Sequence, residues 1–248
     1  MKDVQHFKTN TIIGHRGCDS AGQENTVQAF LKAVELGAEW VEMDIRKTRD
    51  GVLIVWHDID VAGLRVRGTL WEELKERAES EEMILETLEE VLQALEGKLK
   101  LDVELKESGY ESEVVDLVLK YFTPAEFLVK SFLDESVMVV KSGYPAVKAG
   151  LLLGQRRREG ESFKAYVCRR WSEFFPWKRT RACAADFVGL HWSLCKFGLH
   201  KKAAQHGLAV QVWTLNSAKR IKKFMLSYAV SGIVTDKPEL VFKIRKDL

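Results

Sequence analysis

Cysteine, proline and long apolar runs are all scarce in this chain of 248 residues, and each shortage excludes something. The four cysteines, Cys18, Cys168, Cys183 and Cys195, show no CxxC spacing, so no cysteine-rich zinc or dithiol redox motif is present. A chain of this length builds a core without disulfide staples, and the thiols are read as free. Only four prolines occur, and no linker-like stretch, low-complexity tract or repeat divides the sequence, which predicts a single domain over 1–248. No run approaches the ~18 apolar residues of a membrane span. The N-terminal MKDVQHFKTN lacks the apolar core of an export signal, so a cytoplasmic protein is expected. A net charge of +2 is too small to point to a nucleic-acid partner.

What is there alternates. Short β-branched runs at Thr11–Gly17, Trp40–Arg46, Leu99–Lys106, Phe127–Phe132, Val147–Leu153, Phe187–His191, Ala209–Leu215 and Gly232–Thr235 are separated by segments with helical spacing of apolar residues. Glu24–Leu36 is the clearest, with Val27, Phe30, Leu31 and Val34 on one face and Gly37 ending it. Helices are also expected at Thr69–Glu79, Thr87–Leu95, Glu111–Tyr121, Glu135–Gly143, Lys196–His206, Ala218–Tyr228 and Glu239–Arg245. Eight strands in βα alternation predict an α/β fold, a (β/α)8 TIM barrel. An open doubly wound sheet is the rival, but it gives no reason for polar residues at so many strand ends. One run breaks the alternation: Val52–Asp58 follows strand two too closely for a parallel crossover, and Asp50-Gly51 reads as a two-residue turn. A small antiparallel hairpin excursion after strand two is therefore expected, and pairing Arg49 with Val52 sets Asp44 opposite His57, unless a bulge shifts the register.

The stretch Ile12–Asp58 concentrates the chemistry. Glu42 and Asp44 share one face of a strand, and two inward carboxylates resist burial unless a cation neutralises them. Strand LDVELK adds Glu104 as a third carboxylate, with Asp102 in phase below it and Lys106 able to offset phosphate charge or pair with an acid. An oxygen-only set suits one divalent cation, Mg2+ or Ca2+. His15 leaves strand one between Gly14 and Gly17, His57 leaves the hairpin, and both imidazoles can move protons. Arg16 can grip a phosphate. His6, His191, His200 and His206 are read as surface or packing residues, with a site-facing position as the alternative for His191, which ends a strand.

Gln155–Arg181 holds nine basic residues against three acidic ones, interleaved with Phe163, Trp171, Phe174, Phe175 and Trp177. The plainer reading is an outer barrel helix with a basic solvated face and an apolar inner face. The alternative is peripheral contact with an anionic membrane, or a lid over the site.

Taken together the marks are specific. GHRG at Gly14–Gly17, ENT at Glu24–Thr26, EMD at Glu42–Asp44, HD at His57–Asp58, LEEVL at Leu88–Leu92, VELK at Val103–Lys106, SF at Ser131–Phe132, VWTLN at Val212–Asn216 and GIVTDKP at Gly232–Pro238 follow one another in order. In these, nearly the whole chain resembles the glycerophosphodiester phosphodiesterases. The resemblance implies a barrel with a divalent metal held by Glu42, Asp44 and Glu104. It implies His15 and His57 as the general acid/base pair, Arg16 and Lys106 at the phosphate, and Trp213 near the alcohol portion of a small glycerophosphodiester substrate. Departure is greatest just after His57-Asp58, where the segment that shapes the glycerol pocket is short. The expected reaction is hydrolysis to glycerol phosphate and an alcohol. The alternatives are a phospholipase D-like enzyme acting on lysolipids and a non-catalytic phosphate-ligand-binding barrel.

Overall fold

The computed structural model describes residues 10–155, 157 and 160–248. Residues 1–9, His6 among them, and Arg156, Arg158 and Glu159 of the basic stretch lie outside the described residues. In chain order the strands are β1 (Thr11–Gly14), β2 (Trp40–Lys47), β3 (Leu53–Val55), β4 (Asp60–Val61), β5 (Leu64–Arg65), β6 (Lys100–Leu105), β7 (Phe127–Ser131), β8 (Lys148–Leu153), β9 (Phe187–His191), β10 (Ala209–Trp213) and β11 (Gly232–Thr235). The helices are α1 (Val27–Glu35), α2 (Trp71–Ser80), α3 (Leu88–Leu95), α4 (Glu111–Val118), α5 (Asp134–Gly143), α6 (Phe163–Ser172), α7 (Pro176–Ala182), α8 (Leu199–Gln205), α9 (Ala218–Met225) and α10 (Pro238–Lys246).

Strands β1, β2, β6, β7, β8, β9, β10 and β11 are parallel to their barrel neighbours, and β1 pairs with both β11 and β2. That double pairing closes the sheet, so the fold is a (β/α)8 barrel and the open-sheet rival is excluded. The two faces of the strands explain the sequence pattern. Outward residues such as Val41, Met43, Val103, Val129 and Leu151 are buried under the helices, whose apolar stripes include Ala29, Phe30 and Ala33 of α1 and Leu88, Val91, Leu92 and Leu95 of α3. Helix α3 starts in a capping box, with the Thr87 hydroxyl accepting from the Glu90 amide and the Glu90 carboxylate accepting from the Thr87 amide.

Inward residues are graded along the barrel axis. The lower interior is apolar: Ile13, Trp40, Leu128, Phe187, Ala209 and Val234 pack together. Gly150 belongs to that packing, because a Cβ there would lie 2.2 Å from the Phe187 ring. Above them the inward positions turn polar, with Glu42 beside Asp102 and Asp44 beside Glu104 across the β2–β6 pairing, and Glu104 beside Lys130 across β6–β7. The strands thus deliver carboxylates and cations toward their C-terminal ends, where a barrel of this kind carries its loops.

Two expectations need correction. The hairpin after β2 exists, but β3 pairs with β2 as Ile45–Val55, Arg46–Ile54 and Lys47–Leu53, one residue away from the expected register. The Thr48 amide donates to the Val52 carbonyl (2.9 Å) and the Thr48 hydroxyl accepts from the Val52 amide (2.9 Å). Three residues, Arg49 to Gly51, therefore make the loop, with Gly51 in the left-handed region at φ 92°. Trp56, not His57, then bonds across to Asp44, its amide donating to the Asp44 carbonyl at 2.9 Å. The helix expected over Lys196–His206 is instead a 3-10 turn at Leu194–Phe197 followed by α8, with the break at Gly198. The hairpin region has its own small core of Ile54, Trp56, Val61, Val66, Leu74 and Ala78.

Candidate active site

The first two sequence marks meet in one loop. A Cβ on Gly14 would lie 2.5 Å from the Gly17 carbonyl oxygen, and one on Gly17, which sits at φ 94°, would meet Ala29 of α1 at 2.6 Å. Only glycine fits at both places, and the tight turn between them carries His15 and Arg16. Arg16 itself adopts φ 50° and Asn25 φ 58°, left-handed conformations that a side-chain-bearing residue holds at a cost and that cluster at functional sites. The turn aims the Arg16 amide at Glu42 Oε2 (3.0 Å). Each residue of the Glu24–Thr26 motif has its own task. Glu24 Oε1 pairs with Arg16 Nη1 (2.5 Å), Asn25 Nδ2 donates to Asp44 Oδ2 (2.9 Å), and Thr26 caps α1.

Beneath His15 and Arg16 lies a buried charge layer. Asp44 Oδ2 faces Arg16 Nε at 3.0 Å, and Lys106 Nζ bridges Asp44 Oδ1 (2.8 Å) and Glu104 Oε1 (2.6 Å). Lys130 Nζ lies 3.0 Å from Asp102 Oδ2 and 3.6 Å from Glu42 Oε1, and Gln211 Nε2 donates to the same Asp102 oxygen at 3.2 Å. Burial would raise Asp44, but Lys106 and Arg16 hold it well below the usual carboxylate range. Burial raises Glu104 against the pull of Lys106, and pushes Asp102 up to about 6 against the pull of Lys130. Glu42, Asp44 and Glu104 each present an oxygen, all within 4.8 Å of one another. Ligands on opposite sides of one ion stand about 4.0–4.2 Å apart around Mg2+ and about 4.6–5.2 Å apart around Ca2+, so the set has the compactness that one divalent cation needs.

Both imidazoles are held alike. His15 Nδ1 is 2.6 Å from Asp236 Oδ1, just beyond β11, and His57 Nδ1 is 2.7 Å from Asp58 Oδ1. Each ring thus keeps Nε2 for whatever enters the cavity. Burial acts to lower His15, but the hydrogen bond to Asp236 and the charge of Glu42 outweigh it, and its pKa stands above 6.5. Burial and Lys106 hold His57 below 6.5, against the attraction of Asp44. Asn216 steadies Asp236, its amide nitrogen donating to Oδ2 while its carbonyl accepts from the Asp236 amide at 3.0 Å.

These groups line a cavity of about 580 Å3, together with an apolar wall of Phe132, Leu152 and Trp213. Of the residues singled out from sequence, His15, Arg16, Glu42, His57, Glu104, Lys106 and Trp213 line it directly, and Asp44 lies just below, tied to Arg16 and Lys106. Trp213 packs edge-on against Phe132 (5.6 Å between ring centroids) and against His191 (5.0 Å), which also reaches the cavity. Four supporting residues escaped the sequence reading: Asn25 and Asp236, seen only as parts of motifs, and Lys130 and Gln211. The available signal for the last two was a polar side chain in phase with the apolar inward residues of its strand.

A (β/α)8 barrel that gathers two carboxylate-held imidazoles, an arginine and a carboxylate triad at the C-terminal ends of its strands has the site of a barrel enzyme. The chain belongs to the glycerophosphoryl diester phosphodiesterase family, whose model matches residues 15–240. It is 29% identical over 261 residues to a glycerophosphodiester phosphodiesterase of Bacillus altitudinis, covering 96% of this chain and 98% of the relative. A glycerophosphodiester phosphodiesterase of Caldanaerobacter subterraneus is 27% identical, with 95% and 98% covered. A phosphodiesterase of Oleispira antarctica, solved in complex with the product sn-glycerol-3-phosphate, shares the fold at a TM-score of 0.75 and 19% identity, over 96% of this chain and 97% of that one.

Proposed function

We propose that this protein hydrolyses glycerophosphodiesters to glycerol phosphate and an alcohol, with His15 and His57 as the acid/base pair and one divalent cation, Mg2+ or Ca2+, held by Glu42, Asp44 and Glu104. One observation carries the reading: two imidazoles with Nδ1 engaged by carboxylates border the same cavity as Glu42 and Glu104, whose oxygens cluster with one of Asp44 just below. The bound cation would neutralise a phosphoryl oxygen of the diester. Arg16 and Lys106 would hold the remaining phosphoryl oxygens, and the wall of Phe132, Leu152 and Trp213 would receive the less polar part of the substrate.

The opposed shifts of the two histidines support a division of labour. His57, held below 6.5, is neutral at pH 7 and takes the proton of the attacking hydroxyl through Nε2. His15, raised by Asp236, is the proton donor to the leaving alkoxide. The hydroxyl oxygen bonds to phosphorus, the bond from phosphorus to the alcohol oxygen breaks, and the proton on His15 leaves with the alcohol. The attacking oxygen is either water or the neighbouring glycerol hydroxyl, the latter by way of a cyclic phosphate.

The apolar cavity wall also favours a second reading, phospholipase D-like cleavage of lysolipids. Turnover of glycerophosphocholine compared with lysophosphatidylcholine decides between them: faster glycerophosphocholine turnover supports the first, and selective lysolipid turnover supports the second. If ligands bind but neither substrate yields product with either metal, the barrel is a non-catalytic binder.

A further inference from the structure

Two helices connect β8 to β9, and α7 is the one that packs on the barrel, with Pro176 and Thr180 buried, while α6 does not. None of its side chains is buried, and Phe163, Val167 and Trp171, spaced four apart, are 68%, 47% and 69% exposed. Such spacing places them along one helix face. The apolar surface continues beyond the helix, because Trp171 contacts Phe174 (6.1 Å between centroids) and Phe174 contacts Phe197 (5.4 Å), which is itself 61% exposed. Together with Phe175 and Trp177 these rings border a groove of about 470 Å3. Large contiguous apolar patches on a protein surface mark something that binds there.

The surrounding charge says what. Residues 161–206 contain nine lysines and arginines and three acidic residues, a balance of +6 where the whole chain has +2. The acids are already engaged: Glu161 and Glu173 with Arg169, and Asp186 with Lys141 and Lys148. Lys164, Lys178, Lys196, Lys201 and Lys202 are exposed, Lys178 standing over the Phe175 ring and Lys202 on the groove. A second copy of the chain would bring the same positive patch against this one in a two-fold contact, so self-association is disfavoured. Aromatic residues ringed by lysines suit the boundary between headgroups and acyl chains of an anionic bilayer.

We propose that α6, with Phe174 and Phe197, docks this protein in the plane of an anionic membrane surface. No helix among the described residues is long and apolar enough to cross a membrane, so the contact lies on the bilayer. The loop that leads from β8 to α6 contributes Gln155 and Arg157 to the cavity lining, so the docked surface adjoins the cavity mouth. The inference does not depend on the catalytic reading.

The test is co-sedimentation of the full chain with vesicles of phosphatidylcholine alone or mixed with phosphatidylglycerol. Binding is expected only to the mixed vesicles. It should fall at least roughly tenfold in a Phe163→Ser/Trp171→Ser variant, which removes the apolar contact. It should also fall in a Lys201→Glu/Lys202→Glu variant, by an amount that shrinks as salt is raised. Circular dichroism and thermal melting check that both variants fold; their sites are exposed. The proposal is overturned if mixed vesicles do not retain the wild type, or if the aromatic variant binds as well as the wild type. It is equally overturned if sedimentation velocity shows a dimer that the aromatic substitutions dissociate.

Discussion

The guanidinium of Arg46 holds the backbone of His57: Nε and Nη2 donate to the His57 carbonyl at 3.0 and 2.8 Å, while Nη1 pairs with Glu107 Oε1 at 2.5 Å. His57 lies past the end of β3, beyond the last ladder bond, so this fork fixes its place at the cavity edge. Arg46 is not among the residues that line the cavity and reaches it only through His57. Arg46→Lys keeps the charge but loses the planar fork. Misplacing a catalytic group by about 1 Å costs up to ~10²-fold in rate, so kcat should fall roughly 10–100-fold with KM little changed. A purely structural role for Arg46 would lower the melting temperature and leave kcat of the folded enzyme intact.

The pH dependence follows from the two histidines. The base must be deprotonated and the acid protonated, so kcat/KM should be bell-shaped, with its acidic limb below 6.5 from His57 and its alkaline limb above 6.5 from His15. Asp236→Asn removes the charged partner that raises His15. The alkaline limb should then move to lower pH while the acidic limb stays. A profile unchanged by Asp236→Asn would reverse or remove the role given to His15.

Asp44 is the hub of the buried charge layer, between Arg16, Lys106 and Asn25. In metal-free protein Asp44→Asn leaves two cations facing a neutral amide, and removing one partner of a buried pair costs about 3–5 kcal/mol. Urea denaturation in EDTA measures it. A loss below about 1 kcal/mol would mean that water screens the layer.

Packing at the bottom of the barrel makes a separate forecast. Gly150→Ala places a methyl 2.2 Å from the Phe187 ring, and overpacking of this kind costs about 1–3 kcal/mol. Phe187→Leu in the same chain should recover part of that loss, so a double-mutant cycle that shows simple additivity contradicts the predicted contact.

Most of the barrel was legible because a parallel strand buried on both faces and an amphipathic helix leave different periods in the sequence. Gln155–Arg181 divides: α7 packs on the barrel with Pro176 and Thr180 buried, as an outer barrel helix should, but the apolar stripe on α6 has helical spacing and faces outward, and periodicity carries no sign. The hairpin was visible in Asp50-Gly51, yet its register depended on whether two or three residues turn, which the Thr48 side chain decides locally. Within the site, residues close in sequence were easy to group. His15 and Asp236 are 221 positions apart and meet only because β1 and β11 close the barrel. Lys130 was hidden in an apolar strand, and its purpose appears only when β6 and β7 pair.

The most direct test is the release of glycerol phosphate from glycerophosphocholine by EDTA-treated protein, before and after adding Mg2+ or Ca2+. The proposed site predicts loss of turnover with EDTA and recovery with one of the two ions, with His15→Ala and His57→Ala each about 10²–10⁴-fold slower under the restoring condition. Undiminished turnover in EDTA, or near-native turnover by both histidine variants, would contradict it.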